Sequence, residues 1–101
     1  MKIAIATIDK NENSEISDLG ARAPYYLIFN EQGEFEEALS NPFAVGGVGA
    51  GFSVAKMLVD KGVNIFVAGV IGDNMTGALD EKGIKYFKKT GIAKQAVLSF
   101  K

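Results

Sequence analysis

Apolar and polar positions divide the chain into short segments with abrupt changes of period between them. Lys2 to Ile8 carries apolar side chains on both alternating faces, which predicts a strand covered from both sides of a sheet. The polar run Asp9 to Ser17, rich in Asn, Glu and Ser, predicts a loop. Pro24 suits the start of a strand better than its interior, so Tyr25-Tyr26-Leu27-Ile28-Phe29 is the second strand. Asn30-Glu31-Gln32-Gly33 supplies hairpin-turn residues, with Gly33 free to take a left-handed conformation. Glu34 to Ser40 is then the return strand, apolar at Phe35 and Leu39 and acidic elsewhere, a pattern suited to a sheet edge.

Asn41-Pro42-Phe43 ends that strand in a turn. Val54, Ala55, Leu58 and Val59 recur at helical spacing, so a helix is expected from Ala50 to Lys61, stopped by Gly62. Val63 to Ala68 is a continuous apolar run and predicts an internal parallel strand. Gly69-Val70-Ile71-Gly72 closes it, and Asp73 or Asn74 is placed to cap a second helix, Asn74 to Lys82, which Gly83 ends. Ile84 to Phe87 gives a fifth strand, and Ile92, Ala93, Ala96, Val97 and Phe100 an amphipathic last helix. The order β-β-β-α-β-α-β-α over one domain, residues 1–101, predicts an α/β fold. Right-handed crossovers would make its five-stranded sheet mixed but mostly parallel, with helices on both faces.

Composition narrows the chemistry chiefly by what is missing. The 101 residues contain no Cys, His or Trp. A disulfide, a zinc site built from imidazole or thiolate, and a Cys nucleophile are therefore excluded. The net charge of −1 supplies no global field for nucleic acid or anionic membrane. Met1-Lys2-Ile3-Ala4-Ile5-Ala6 is too short an apolar run for a signal peptide, and no run approaches membrane-spanning length. A soluble cytoplasmic protein with no membrane partner is the expectation.

Gly46-Gly47-Val48-Gly49-Ala50-Gly51 places four glycines in six residues immediately before the first helix. Glycine permits positive φ and close approach to the backbone, and the uncapped amides of a helix start favour negative charge. An anionic ligand is welcome there, although tight turns and close helix packing use glycine in the same way. Neither nucleotide motif fits. No Gly-Lys-Ser/Thr follows, and the spacing of Gly47, Gly49 and Gly51 is not that of a dinucleotide fingerprint opening a first βα unit. Ligands of open α/β sheets bind beyond the carboxyl ends of the strands, where Asp9–Ser17, Gly49-Ala50-Gly51 and Gly69–Asn74 are expected to meet.

Six stretches in order carry a resemblance: Lys2-Ile3-Ala4-Ile5-Ala6-Thr7, Gly20-Ala21-Arg22-Ala23-Pro24-Tyr25-Tyr26, Asn41-Pro42, Gly49-Ala50-Gly51, Gly69-Val70-Ile71-Gly72-Asp73-Asn74 and Gly83-Ile84-Lys85. Together they resemble the dinitrogenase iron-molybdenum cofactor biosynthesis family, of the NifX, NafY and NifB C-terminal domain type. The resemblance spans essentially the whole chain. It implies a ribonuclease H-like fold and a non-enzymatic role in binding, carrying or inserting an anionic metal-sulfur cluster such as iron-molybdenum cofactor, alongside other cofactor-assembly proteins. The family often has His-Phe-Gly-Arg-Ala before the second strand, where this chain has Asp18-Leu19-Gly20-Ala21-Arg22-Ala23, so no histidine ligand is present. A cluster held here would rely on a positive partner and hydrogen-bond donors: Arg22, Gly49, Ala50, Gly51, Gly72 and Asn74.

Readings from other classes compete. A two-metal nuclease needs converging carboxylates, and after Asp9 and Asp73 a third is missing. Lys82, Lys85, Lys88, Lys89 and Lys94 with Tyr86 and Phe87 could stack nucleic-acid bases, but core demand for an aromatic and protection of an edge strand explain them better, so no nucleic-acid partner is expected. A protein-interaction or regulatory domain that has lost metal binding is the alternative to a cluster carrier.

Overall fold

The computed structural model describes residues 1–100, so Lys101, the last residue of the expected domain, lies outside the described residues. Strands β1 (Lys2–Thr7), β2 (Tyr25–Asn30) and β3 (Phe35–Ser40) precede helix α1 (Ala50–Asp60). Strand β4 (Val63–Ala68), helix α2 (Asp73–Glu81), strand β5 (Lys85–Lys88) and helix α3 (Ala93–Leu98) complete the chain. The five strands form one sheet in the order β3-β2-β1-β4-β5.

The sheet is mixed, not mostly parallel. β1 pairs antiparallel with β2, and β2 antiparallel with β3, whereas β1–β4 and β4–β5 are parallel. The hairpin at Asn30–Gly33, with Gly33 at φ 84°, puts β3 outside β2. Only the connections that contain α1 and α2 return the chain in the same direction, because parallel neighbours need a crossover.

Each interior strand has two buried faces, which accounts for its unbroken apolar run. Ala4, Ala6, Tyr26, Ile28 and Phe66 pack beneath α1 (Val54, Ala55, Leu58) and α2 (Met75, Ala78, Leu79). On the opposite face Ile3, Ile5, Leu27, Phe29, Ile65 and Val67 meet α3 through Ala93, Ala96 and Val97. The small Ala4 and Ala6 lie on the two-helix side, with the bulk of Ile3 and Ile5 on the other. α1 and α2 each end at a glycine of positive φ, Gly62 at 80° and Gly83 at 74°.

One local expectation is overturned. Neither Asp73 nor Asn74 caps α2; the cap position is Gly72, extended at φ −71° and ψ 162°, and no side chain bonds the free amides. Asp73 is instead the first helical residue, where its charge complements the helix dipole without a capping bond. Among the described residues no helix is long and apolar enough to cross a membrane.

Candidate functional site

The parallel pairing of β1 with β4 brings the chain segments that leave their carboxyl ends to one edge of the sheet. The long loop after β1 is stitched across that edge by backbone bonds from Ser17 N to Ala6 O (2.8 Å), Gly69 N to Ser17 O (2.8 Å) and Val70 N to Asp18 O (3.1 Å). Gly69 is required by this crossing, since a Cβ there would stand 3.0 Å from the Asp18 Cα.

Above this edge the starts of α1 and α2 converge on a crevice of about 350 Å³. Its wall contains the six residues expected to hold a ligand, Arg22, Gly49, Ala50, Gly51, Gly72 and Asn74, but none of the Asp9–Ser17 loop, which was expected beside them and is instead bonded to the start of α3. Gly47, Val48, Asp73 and Met75 join them. The glycine pattern flagged the neighbourhood of Gly47 and Val48, whereas nothing local in the sequence marks Met75.

The glycines have separate tasks. Gly49 is the residue before α1 and is left-handed at φ 86°, a conformation that side chains rarely adopt. Gly51 lets the two helices touch, since a Cβ on it would be 3.0 Å from Met75 N and 3.1 Å from Met75 Cα. Its missing side chain is thus filled by the neighbouring helix. Gly72 faces open space.

The first helical bond of α1 runs from Ser53 N to Gly49 O (3.1 Å) and that of α2 from Thr76 N to Gly72 O (3.0 Å). The amides before them, of Ala50, Gly51 and Phe52 in α1 and of Asp73, Asn74 and Met75 in α2, have no partner in their own helix. Neither helix has a side-chain cap. Two sets of uncapped donors, with both dipoles positive end inward, therefore share one crevice. The Asp73 carboxylate opposes this field.

Arg22 is the only arginine, and its guanidinium does more than present a charge. Nη1 donates to the carbonyls of Phe43 (3.3 Å) and Gly46 (2.7 Å), and Nη2 to that of Gly47. The fork clamps the glycine loop as the crevice wall, and Nε–H and one Nη2 hydrogen remain outside these bonds.

Beneath Arg22 is a buried polar knot. The two hydrogens of the Asn41 amide Nδ2 serve three acceptors, Ala21 O (3.0 Å), Ala23 O (2.9 Å) and the Tyr26 hydroxyl (3.1 Å), one of them through a shared hydrogen, while its Oδ1 accepts from Phe43 N (2.8 Å). The Tyr26 hydroxyl donates to Gly20 O at 2.6 Å, and burial pushes its pKa well above the usual phenol range. Among the described residues no buried side-chain polar atom lacks a partner. Asn41 makes the turn read from Asn41-Pro42, but its tie to the arginine segment spans the fold and has no local signature.

Among the described residues no group of three or more His, Cys, Asp or Glu converges as a metal site. The lysine-rich edge lies elsewhere: Phe87 packs on Phe100 with centroids 5.1 Å apart, and Lys89 sits over the Phe100 ring at 5.5 Å. These aromatics are engaged with one another and with a cation from their own chain.

The crevice can therefore offer amide and guanidinium N–H donors but no imidazole or thiolate, a set suited to the surface of an anion and not to direct ligation of a soft metal. The family model described as dinitrogenase iron-molybdenum cofactor matches residues 1–101. A protein from Thermotoga described as NifB-type, solved by NMR, is 32% identical, with 98% of this chain and 85% of that one covered and a TM-score of 0.80. The apo form of the orange protein from Desulfovibrio gigas shares the fold at 22% identity, with a TM-score of 0.91 over 98% of this chain and 85% of that one. No functionally curated protein matches. With the family model spanning its whole length, the chain belongs to the dinitrogenase iron-molybdenum cofactor family.

Proposed function

We propose that this protein is a non-enzymatic carrier that reversibly holds an anionic metal-sulfur cluster, iron-molybdenum cofactor or a related species, in the crevice between α1 and α2. The reading takes the fold as ribonuclease H-like and the setting as cytoplasmic, with other cofactor-assembly proteins as donors or acceptors of the cargo. The observation that carries it is the convergence of two uncapped helix starts and the only arginine on one crevice. A sulfide-faced cluster accepts hydrogen bonds over its whole surface, so it needs donors and positive potential more than a covalent ligand. Arg22 supplies the charge, with the amides of Gly49, Ala50, Gly51, Gly72 and Asn74 around it. Such a site releases its cargo readily because no metal–ligand bond has to break.

Asp73 tempers the positive field and would keep affinity moderate, as suits a carrier. The test is anaerobic addition of tetrathiomolybdate, with and without copper, followed by size-exclusion chromatography. Co-elution of the chromophore with the protein supports the reading, and its absence for both species refutes it.

A second reading, a protein-interaction domain without cluster binding, draws on exposed apolar side chains of the glycine loop and the first turn of α1: Val45 and Val48 are 90% and 102% exposed, and Phe52 52%. The same chromatography separates the two readings, because an interaction domain would retain no chromophore.

A further inference from the structure

The single arginine is useful to an anion only if its guanidinium is held over the crevice, and the geometry points to Asn41 as the residue that holds it there. We propose that Asn41 is the positioning residue of the site, acting through Arg22 without touching the cargo. The inference rests on the anion-binding reading of the crevice.

Asn41 bonds the carbonyls on both sides of Arg22, Ala21 at 3.0 Å and Ala23 at 2.9 Å, which fixes the arginine backbone from two points. Its Oδ1 holds Phe43 N at 2.8 Å, and the Phe43 carbonyl is one of the acceptors of the Arg22 guanidinium. One buried amide, 9% exposed, therefore sets the separation between the segment that carries Arg22 and the loop that Arg22 grips.

The chemistry leaves little freedom in the choice of residue. Phe43 offers a fixed N–H donor, whereas Ala21 and Ala23 offer only acceptors, so the side chain must present an acceptor to one side and donors to the other. The Tyr26 hydroxyl has spent its single hydrogen on Gly20 O and can only accept from Asn41. An aspartate of the same shape would face these three oxygens with no donor. The end of the strand is secured separately, by Asn41 N to Pro24 O at 3.0 Å.

Two measurements test this, one of them without any cargo. Arg22 is the only arginine, so its guanidinium nitrogens give an unambiguous NMR signal in protein labelled with ¹⁵N-arginine. The clamp slows rotation about Cζ–Nη, and separate Nη resonances are expected in the wild type. They should also persist in Val97→Ala, a core change on the far face of the sheet that controls for loss of stability. They should merge in Asn41→Ala and in Asn41→Asp. Asn41→Ser, whose single hydroxyl hydrogen cannot bond Ala21 O and Ala23 O together, should merge them as well and serves if the other variants do not fold. Resolved Nη signals in the folded Asn41 variants, or merged signals in the wild type, would overturn the proposal.

The second measurement is a double-mutant cycle on tetrathiomolybdate affinity. Arg22→Ala should weaken binding more than tenfold and Asn41→Ala about tenfold, and the double variant should bind no more weakly than Arg22→Ala alone. Losses that multiply towards a hundredfold, or unchanged affinity in Asn41→Ala, would overturn the positioning role. If the wild type binds no tetrathiomolybdate, the carrier reading fails, and the NMR result alone decides whether Asn41 positions Arg22.

Discussion

Gly51 and Met75 bring the starts of α1 and α2 into backbone contact: a Cβ at residue 51 would meet Met75 N at 3.0 Å and Met75 Cα at 3.1 Å. The obstacle is backbone and cannot swing aside as a side chain would. Gly51→Ala should therefore cost about 1–3 kcal/mol, the usual range for overpacking, by prising the two helices apart. Urea unfolding checks this, with the midpoint expected to fall while the m-value stays constant. An unchanged midpoint would mean that the helices separate without cost.

Gly72 stands in the opposite situation. A Cβ added there would meet nothing within 4 Å, and the backbone is extended at φ −71°. Gly72→Ser should add the missing cap to α2 and match or exceed wild-type stability by up to about 0.5 kcal/mol, because glycine is already a tolerable cap. The same hydroxyl would occupy an amide of the crevice, so cluster binding should weaken as stability holds or rises. Thermal unfolding and tetrathiomolybdate titration of this one variant check the pair of effects, and a parallel rise of both would contradict the assignment of the α2 amides as donors.

The apolar runs of β1 and β4 and the helical spacing of Val54, Ala55 and Leu58 were legible because burial on both faces leaves few polar positions in a strand and burial of one stripe writes a helical period. The direction of β2 was not legible. It depends on how the loop after β1 crosses the sheet edge, through contacts such as Leu19 with Val70 that no local pattern encodes. The cap of α2 has no sequence signal of its own, because capping propensity favours Asp and Asn whereas the strand exit puts Gly72 at that position. The candidate residues could be located as a group from glycine spacing and Arg22. The grip of Arg22 on Phe43 and Gly46, more than twenty residues away, had no sequence signal.

Tyr26 makes stability depend on alkaline pH. Burial raises the pKa of its hydroxyl above the ordinary value of about 10, so the folded state holds the proton more tightly than the unfolded chain. That contribution is complete below pH 10 and is lost as pH rises beyond it, at up to about 1.4 kcal/mol per pH unit. Tyr26→Phe should be less stable at neutral pH by about 1–3 kcal/mol, since Gly20 O and the Asn41 amide lose a partner. Its stability should then fall less steeply above pH 10 than that of the wild type. Urea midpoints from pH 8 to 11 check this, and parallel slopes would mean that Tyr26 ionises without unfolding the knot.

The most direct test of the carrier account is anaerobic equilibrium titration of tetrathiomolybdate into the wild type, Arg22→Ala and Arg22→Lys. Loss of the charge-assisted contact in Arg22→Ala should cost at least about 1.5 kcal/mol, more than tenfold in affinity. Lysine keeps the charge but cannot fork between the Phe43, Gly46 and Gly47 carbonyls, so Arg22→Lys should fall between the two. Saturable wild-type binding at one equivalent, with affinities in that order, is the predicted result. Equal affinity in all three proteins, or no binding by the wild type, would contradict it.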